Sequence, residues 1–239
     1  MKKHIPNFLT LMNLLCGCLA LGNAFENNLS NVAVLVLAAL IFDYLDGMVA
    51  RILHVHSEIG KQLDSLADVV SFGVVPGVVA SKLMLESFES SDTHYNFILV
   101  YFLLIIPYLI PLFSALRLAK FNLDTRQSES FIGVPTPANT MFWVSLPLIL
   151  LNDKYNLSSI ILNPIILLIL ILVTSYLLVA EIPLFALKFK TLKWNDNKIR
   201  FIFLGICAVL IPIFLFTAIP IIIFLYVILS VLNNMKLIK

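Results

Sequence analysis

Four aspartates carry the chemistry that this chain is equipped to do. Asp43 and Asp46 stand three residues apart and Asp64 and Asp68 four apart, with Gly47, Ala50, Arg51 and Gly60 between the pairs. Residues at these spacings share a helix face, so each pair presents two carboxylates side by side. Both pairs fall at the ends of strongly apolar runs. A carboxylate at mid-membrane costs about 2.5–3.5 kcal/mol, so four would approach 10–14 kcal/mol there and would repel one another as well. A position near the interface lowers that cost, and a divalent cation removes most of the repulsion. Hard oxygen ligands suit magnesium, manganese or calcium. Four carboxylates can also bridge two ions, the arrangement that clamps a transferring phosphoryl group. Gly47 and Ala50 clear the helix face beside Asp46 for a bulky ligand, although Gly47 by itself equally suits helix packing. Arg51, one turn past Gly47, can fork onto phosphate oxygens. A solvated acidic turn is the plainer alternative, and it is disfavoured because basic residues should dominate that side of a membrane protein.

The elements that must position these residues are membrane spans. Of the 239 residues, 60% are hydrophobic and 13% charged, about half the charged fraction of a soluble domain. The mean hydropathy is +0.99. This composition excludes a soluble enzyme, a disordered chain, a disulfide scaffold and a nucleic-acid binder. Apolar runs near 6–25, 32–52, 65–87, 96–118, 137–151, 159–187, 201–217 and 219–235 predict an all-α polytopic bundle of about eight transmembrane helices in one domain, 1–239. With the N-terminus inside, 14 of the 16 basic residues fall on one side, Lys154 and Lys82 being the exceptions. Both termini and the acidic cluster are thereby expected at the cytoplasmic face. Cys16, Cys18 and Cys207 lie in apolar stretches and read as small buried hydrophobes. His54 and His56 fall between the acid pairs, but at i,i+2 they do not face one another on a helix and read as headgroup-level loop residues.

The pattern D-x2-D-G-x2-A-R-x8-G-x3-D-x3-D is complete over 43–68 and resembles the signature of the CDP-alcohol phosphatidyltransferases. Eight fixed residues at one in twenty each arise by chance about 10⁻¹⁰ times per start position. The resemblance implies a membrane enzyme, with a six-helix catalytic core plus two helices here, that displaces CMP from a CDP-linked lipid with an alcohol hydroxyl. It implies that Asp43, Asp46, Asp64 and Asp68 hold two divalent cations, Mg2+ or Mn2+ with Ca2+ as an alternative, and that Asp68 is also the general base. It further implies that Gly47, Ala50, Arg51 and Ser57 contact CDP-diacylglycerol, and that the chain forms a homodimer in a bacterial or archaeal cytoplasmic membrane.

The acceptor is not set by that signature. Pro6 to Asn13, Ser71 to Pro76, Arg117 to Asn122 and Phe131 to Ala138 resemble the phosphatidylserine synthase branch, which implies L-serine. Arg117 or Lys120 can pair with its carboxylate, and Asn122 can receive its ammonium group; all three are equally ordinary residues for a helix end. Asn7 and Thr10 share one face of the first helix and either line the pocket or hydrogen-bond to a neighbouring helix. Glu181 with Pro183 reads as an interior ion pair or a kink. Glycerol 3-phosphate or inositol phosphate is the alternative acceptor. A cation-coupled transporter is the distant one, and it would place the acids at the midplane of repeated halves.

Overall fold

The computed structural model describes residues 4–55, 57–91, 95–124, 130–185 and 194–234. The chain begins with α1 (His4–Phe25) and α2 (Leu29–Ile52). A long third arm follows, in which α3 (Glu58–Val69) runs through a π-helical turn (Val70–Val74) into α4 (Val75–Glu89). The fourth arm is α5 (Phe97–Ile105) and α6 (Leu109–Leu123), joined by a 3-10 turn. Then come α7 (Thr136–Asn152), the short α8 (Ser158–Ile161), α9 (Pro164–Val179), α10 (Trp194–Phe214) and α11 (Ala218–Asn234). Helix starts are written into the sequence: Asn28, Ser57, Asn96 and Asn163 each accept a first-turn N–H that would otherwise lack a partner.

Five stretches are long and apolar enough to cross a membrane: His4–Phe25, Leu29–Ile52, Glu58–Glu89, Phe97–Leu123 and Asn197–Asn234. The last is two arms. Phe203 and Tyr226 stack their rings 5.6 Å apart, whereas more than twenty residues of straight helix would separate them by over 30 Å. The chain folds back at Leu215, whose φ of +49° makes the turn. With α7 and α9 the protein is an eight-armed α-helical membrane bundle, as the apolar runs predict.

Several boundaries depart from expectation, and two of them bear on the site. The third arm starts at Glu58 instead of 65, because Ser57 caps a polar first turn that hydropathy passes over. The sixth run, expected over 159–187, is broken at Asn163 and ends at Val179. Pro183 lacks a donor, and Pro183–Phe185 instead pairs antiparallel with Ser130–Ile132 as a two-stranded ribbon. These strands, β1 and β2, are short non-helical exceptions to the all-α pattern.

Beside the ribbon, the Gly133 N–H donates to the Ile182 carbonyl at 3.0 Å and the Val134 N–H to Leu177 at 2.9 Å, taking up a carbonyl at the end of α9. Gly133 has φ +73°, and a Cβ there would lie 2.5 Å from the Leu178 carbonyl oxygen. Gly133→Ala is therefore expected to destabilise by about 2–4 kcal/mol, combining a left-handed backbone with a backbone clash. A thermal melt in detergent checks this; an unchanged melt would show that the loop is not held by these bonds.

The core centres on α7. Trp143 is fully buried against α9 and donates its indole N–H to Thr174 at 3.3 Å. Small residues bring the arms close: Gly17 sits against Ser71, and Gly77 against Pro111.

Candidate active site

The acidic cluster is built by three helices, one more than the spacing suggests. Asp43 projects from α2, and Asp64 and Asp68 from α3; oxygens of the three carboxylates all lie within 4.8 Å of one another. The third helix is α1, which packs along both α2 and α3. From α1, Asn13 donates its amide N–H to Asp68 Oδ1 at 3.1 Å, and Thr10 donates its hydroxyl to Asp46 Oδ2 at 2.6 Å. Asp46 is not one of the three described residues whose oxygens lie within 4.8 Å of one another. Three residues of helix rotate it about 60° from Asp43, and Thr10 takes its oxygen. It still lines the same cavity as Asp64.

The π-helical turn lies immediately beyond Asp68. A wide turn frees backbone groups, and buried hydroxyls act here: Thr140 donates to the Phe72 carbonyl at 2.9 Å, and Ser71 to the Asn13 carbonyl at 3.1 Å. These bonds fix α3 against α1 and α7, so the carboxylates are held by packed helices instead of a loop.

Beside the cluster is a cavity of about 280 Å³ walled by Asp46, Gly47, Ala50, Ser57, Gly60 and Asp64, with Pro6, Asn7 and Thr10 closing it from α1. Gly60 lets α1 come close there: a Cβ would lie 3.0 Å from Asn7 Oδ1, and the Asn7 side chain would have to give way. Ser57 lines the cavity while its hydroxyl accepts the Gly60 N–H at 3.3 Å as the cap of α3. Arg51 is exposed at the end of α2, and its guanidinium lies 3.9 Å from where a Cβ of Gly47 would be. Asn7 and Thr10 take the pocket-lining option, and Thr10 the hydrogen-bonding one too. Lys61, read from the sequence only as a positive-inside charge, is another lining residue; its position directly after Gly60 was the available signal. Asn13 appeared only within a resemblance, and its bond to Asp68 had no local signature.

Arg117, on α6, does not line that cavity. It is 7% exposed, and its Nε has no hydrogen-bond partner among the described residues. Arg117 and Lys120 line a second, smaller pocket together with Glu181. Asn122 lies elsewhere: its amide donates to Ser65 Oγ at 2.7 Å and its carbonyl accepts from Lys61 Nζ at 3.0 Å, tying α6 to α3. His54 is exposed in the α2–α3 loop, and His56 lies outside the described residues. Of the 14 basic residues expected on one side, Arg51, Lys61, Arg117, Lys120, Lys198 and Arg200 fall within the described residues, all toward the end of the bundle that holds the cluster.

The donor set fits a hard divalent cation. Oxygens within 4.8 Å of one another can share an ion at 2.0–2.6 Å, and Asp64 Oδ1 is buried without a hydrogen-bond partner, a costly state for a carboxylate oxygen unless something else satisfies it. Chemically, the arrangement offers an anionic cluster able to hold a cation, a cavity beside it large enough for a bulky ligand, and a buried guanidinium on α6.

The family model described as CDP-alcohol phosphatidyltransferase matches residues 3–186. A protein of Bacillus subtilis named CDP-diacylglycerol–serine O-phosphatidyltransferase is 32% identical over 180 residues, spanning 75% of this chain and 89% of its own. A protein of the same name from Helicobacter pylori (strain ATCC 700392 / 26695) is 33% identical over 197 residues, spanning 80% and 74% respectively. An archaetidylserine synthase of Methanothermobacter thermautotrophicus is 35% identical over 136 residues, spanning 56% and 53%.

Proposed function

The chain belongs to the CDP-alcohol phosphatidyltransferase family, and from that premise we propose that it transfers the phosphatidyl group of CDP-diacylglycerol to L-serine, giving phosphatidylserine and CMP. The observation that carries the reading is the meeting of Asp43, Asp64 and Asp68 beside the cavity walled by Gly47 and Ala50. The names of the relatives support serine as the acceptor.

Each group has a part in the reaction. Asp43, Asp64 and Asp68, with Asp46 beside them, would hold one or two divalent cations, Mg2+ or Mn2+ with Ca2+ as an alternative. Such a cation supplies positive charge that neutralises the pyrophosphate oxygens and the departing CMP. Gly47 and Ala50 let the nucleotide approach α2 closely, with Ser57 at the mouth and Arg51 reaching for phosphate oxygens. Arg117 and Lys120 orient the serine carboxylate. Asp68 accepts the serine hydroxyl proton as that oxygen bonds to the phosphatidyl phosphorus and the bond from phosphorus to the CMP oxygen breaks. Asn13 fixes the carboxylate that does this. Asn122 has a positioning role in this reading, through its bonds to Ser65 and Lys61.

The site lies toward one end of the bundle, with Asp68 about 15 Å along α3 from its start. That depth suits a reaction in which both lipids stay in the leaflet while serine and CMP exchange with water. The excess of basic residues toward this end supports a cytoplasmic-facing site, and the family resemblance supports a bacterial or archaeal membrane. The whole chain, 1–239, acts as one domain, and the homodimer is supported by the family resemblance alone.

The reconstituted protein, supplied with CDP-diacylglycerol, a divalent cation and a panel of alcohols, tests the acceptor. L-Serine is expected to drive CMP release at least about tenfold faster than glycerol 3-phosphate or inositol phosphate, since a site built for one set of polar groups strongly rejects ligands that mismatch it. Preference for either phosphate would overturn serine and leave the chemistry standing.

A further inference from the structure

We infer that Glu181 is the residue that selects an amino-acid acceptor, its carboxylate pairing with the acceptor's ammonium group across a pocket from Arg117. The inference rests on the serine reading above and deepens it. The pocket of about 40 Å³ is lined by Arg117, Lys120, Asp124, Ile132, Val179 and Glu181, among others. At roughly 10–15 Å³ per ordered water it holds about three waters, which suits a small polar molecule and not a nucleotide.

Its charges are of both signs. Arg117 forms the inner end: it is 7% exposed with Nε unpartnered, and the Asp68 carboxylate acts on it electrostatically. A buried cation with an unused donor is costly unless a ligand completes it. Glu181 forms the outer end. It sits on the extended segment between α9 and β2, held by the bond from the Gly133 N–H to the Ile182 carbonyl at 3.0 Å and by the pairing of Pro183–Phe185 with Ser130–Ile132. That ribbon explains why α9 stops early: it carries an acid back over the end of α6. Asp124, which also lines the pocket, already has an interaction of its own.

A ligand whose carboxylate and ammonium group hang from one carbon can pair with Arg117 and Glu181, and its hydroxyl is then free for Asp68, the carboxylate that acts on Arg117. An acceptor carrying only negative charge gains Arg117 but meets Glu181 as a repulsion, so the same residue excludes phosphate-bearing alcohols.

The test compares L-serine with 3-hydroxypropionate, which is serine without its ammonium group. Wild-type protein is expected to prefer serine by at least about 100-fold in kcat/KM, and Glu181→Gln to narrow that gap at least about tenfold, mainly through a higher KM for serine. An unchanged gap overturns the inference. So does a variant inactive on both acceptors that still melts with wild type, because a selecting residue leaves the poorer acceptor's rate standing. Glu181→Asp gives a second reading: retracting the carboxylate raises the serine KM and leaves that of 3-hydroxypropionate unmoved, and an equal change in both overturns the inference. A wild-type protein that ignores serine refutes the acceptor reading itself, whereas a serine-using protein with an unchanged gap refutes only the role of Glu181.

Discussion

Asp68→Asn is expected to yield a folded membrane protein whose transfer rate at saturating divalent cation is lower by about a thousandfold or more. General-base catalysis alone accounts for about 10²–10⁴, and an amide is also a poor ligand for a hard cation. The fold survives because the substitution is nearly isosteric and Asn13 can still donate to the remaining carbonyl oxygen at the Oδ1 position. It also removes one negative charge from a cluster whose oxygens lie within 4.8 Å of one another, so in chelator the variant should melt at or above the wild-type temperature. Lower activity with unchanged or higher stability is the pattern of a residue kept for function against its local energetics.

Asp43→Asn separates the two roles that Asp68 combines. Asp43 is a proposed cation ligand and not a base, so its loss should be partly recovered by raising the divalent ion concentration, as mass action requires. Asp68→Asn should stay inactive over the same titration. Full activity in Asp68→Asn would end the base assignment, and equal recovery of both variants would reduce Asp68 to a ligand.

The parts of this site that were legible in the sequence are those set by local spacing. An i,i+4 pair on one helix needs no knowledge of the fold, so Asp64 and Asp68 were readable as neighbours, and the uneven distribution of basic residues indicated which helix ends gather together. What was missing depends on which helix lies against which. Asp43 of α2 does meet Asp64 and Asp68 of α3, but nothing in the spacing shows that α1 runs along both helices and brings Thr10 and Asn13 to the carboxylates. A threonine or asparagine in an apolar run looks the same whether it bonds a catalytic acid or another helix's backbone. The bond that Thr10 donates to Asp46 comes from that same unseen neighbour.

The ribbon was illegible for a different reason. Strands of three residues carry no alternation to detect, and Ser130–Ile132 and Pro183–Phe185 pair across a long stretch of chain. Hydropathy therefore ran the sixth span through Glu181 to residue 187, which made that acid an anomaly inside a helix. With α9 ending at Val179, Glu181 becomes a residue at the mouth of a pocket. The turn between α10 and α11, by contrast, falls where the apolar runs divide near 217–219, although it uses Leu215 at φ +49° and no glycine marks it.

Removing divalent cations is expected to abolish CMP release and to lower the melting temperature together, and the linkage between the two effects is the informative part. An ion that binds the native state and not the unfolded one stabilises by about 2.7 kcal/mol at a hundred times its dissociation constant. The stabilisation should be large here because the ion satisfies Asp64 Oδ1, which is buried without a partner, and offsets repulsion among three carboxylates. Adding back Mg2+, Mn2+ or Ca2+ one at a time should restore the melting temperature with any ion that fits, but activity only with those whose coordination suits the reaction; a tightly bound, inactive ion would show that holding the cluster and promoting transfer are separable. The site is identified by the variant: in Asp64→Asn the rise in melting temperature on adding cation should shrink by most of its wild-type size. If it persists in full, the ion that stabilises the fold binds elsewhere. If wild-type protein freed of cations keeps both its activity and its melting temperature, the carboxylates act without a metal, and the charge needed on the departing CMP must come from Arg51, Lys61 and Arg117, the basic residues placed around the site.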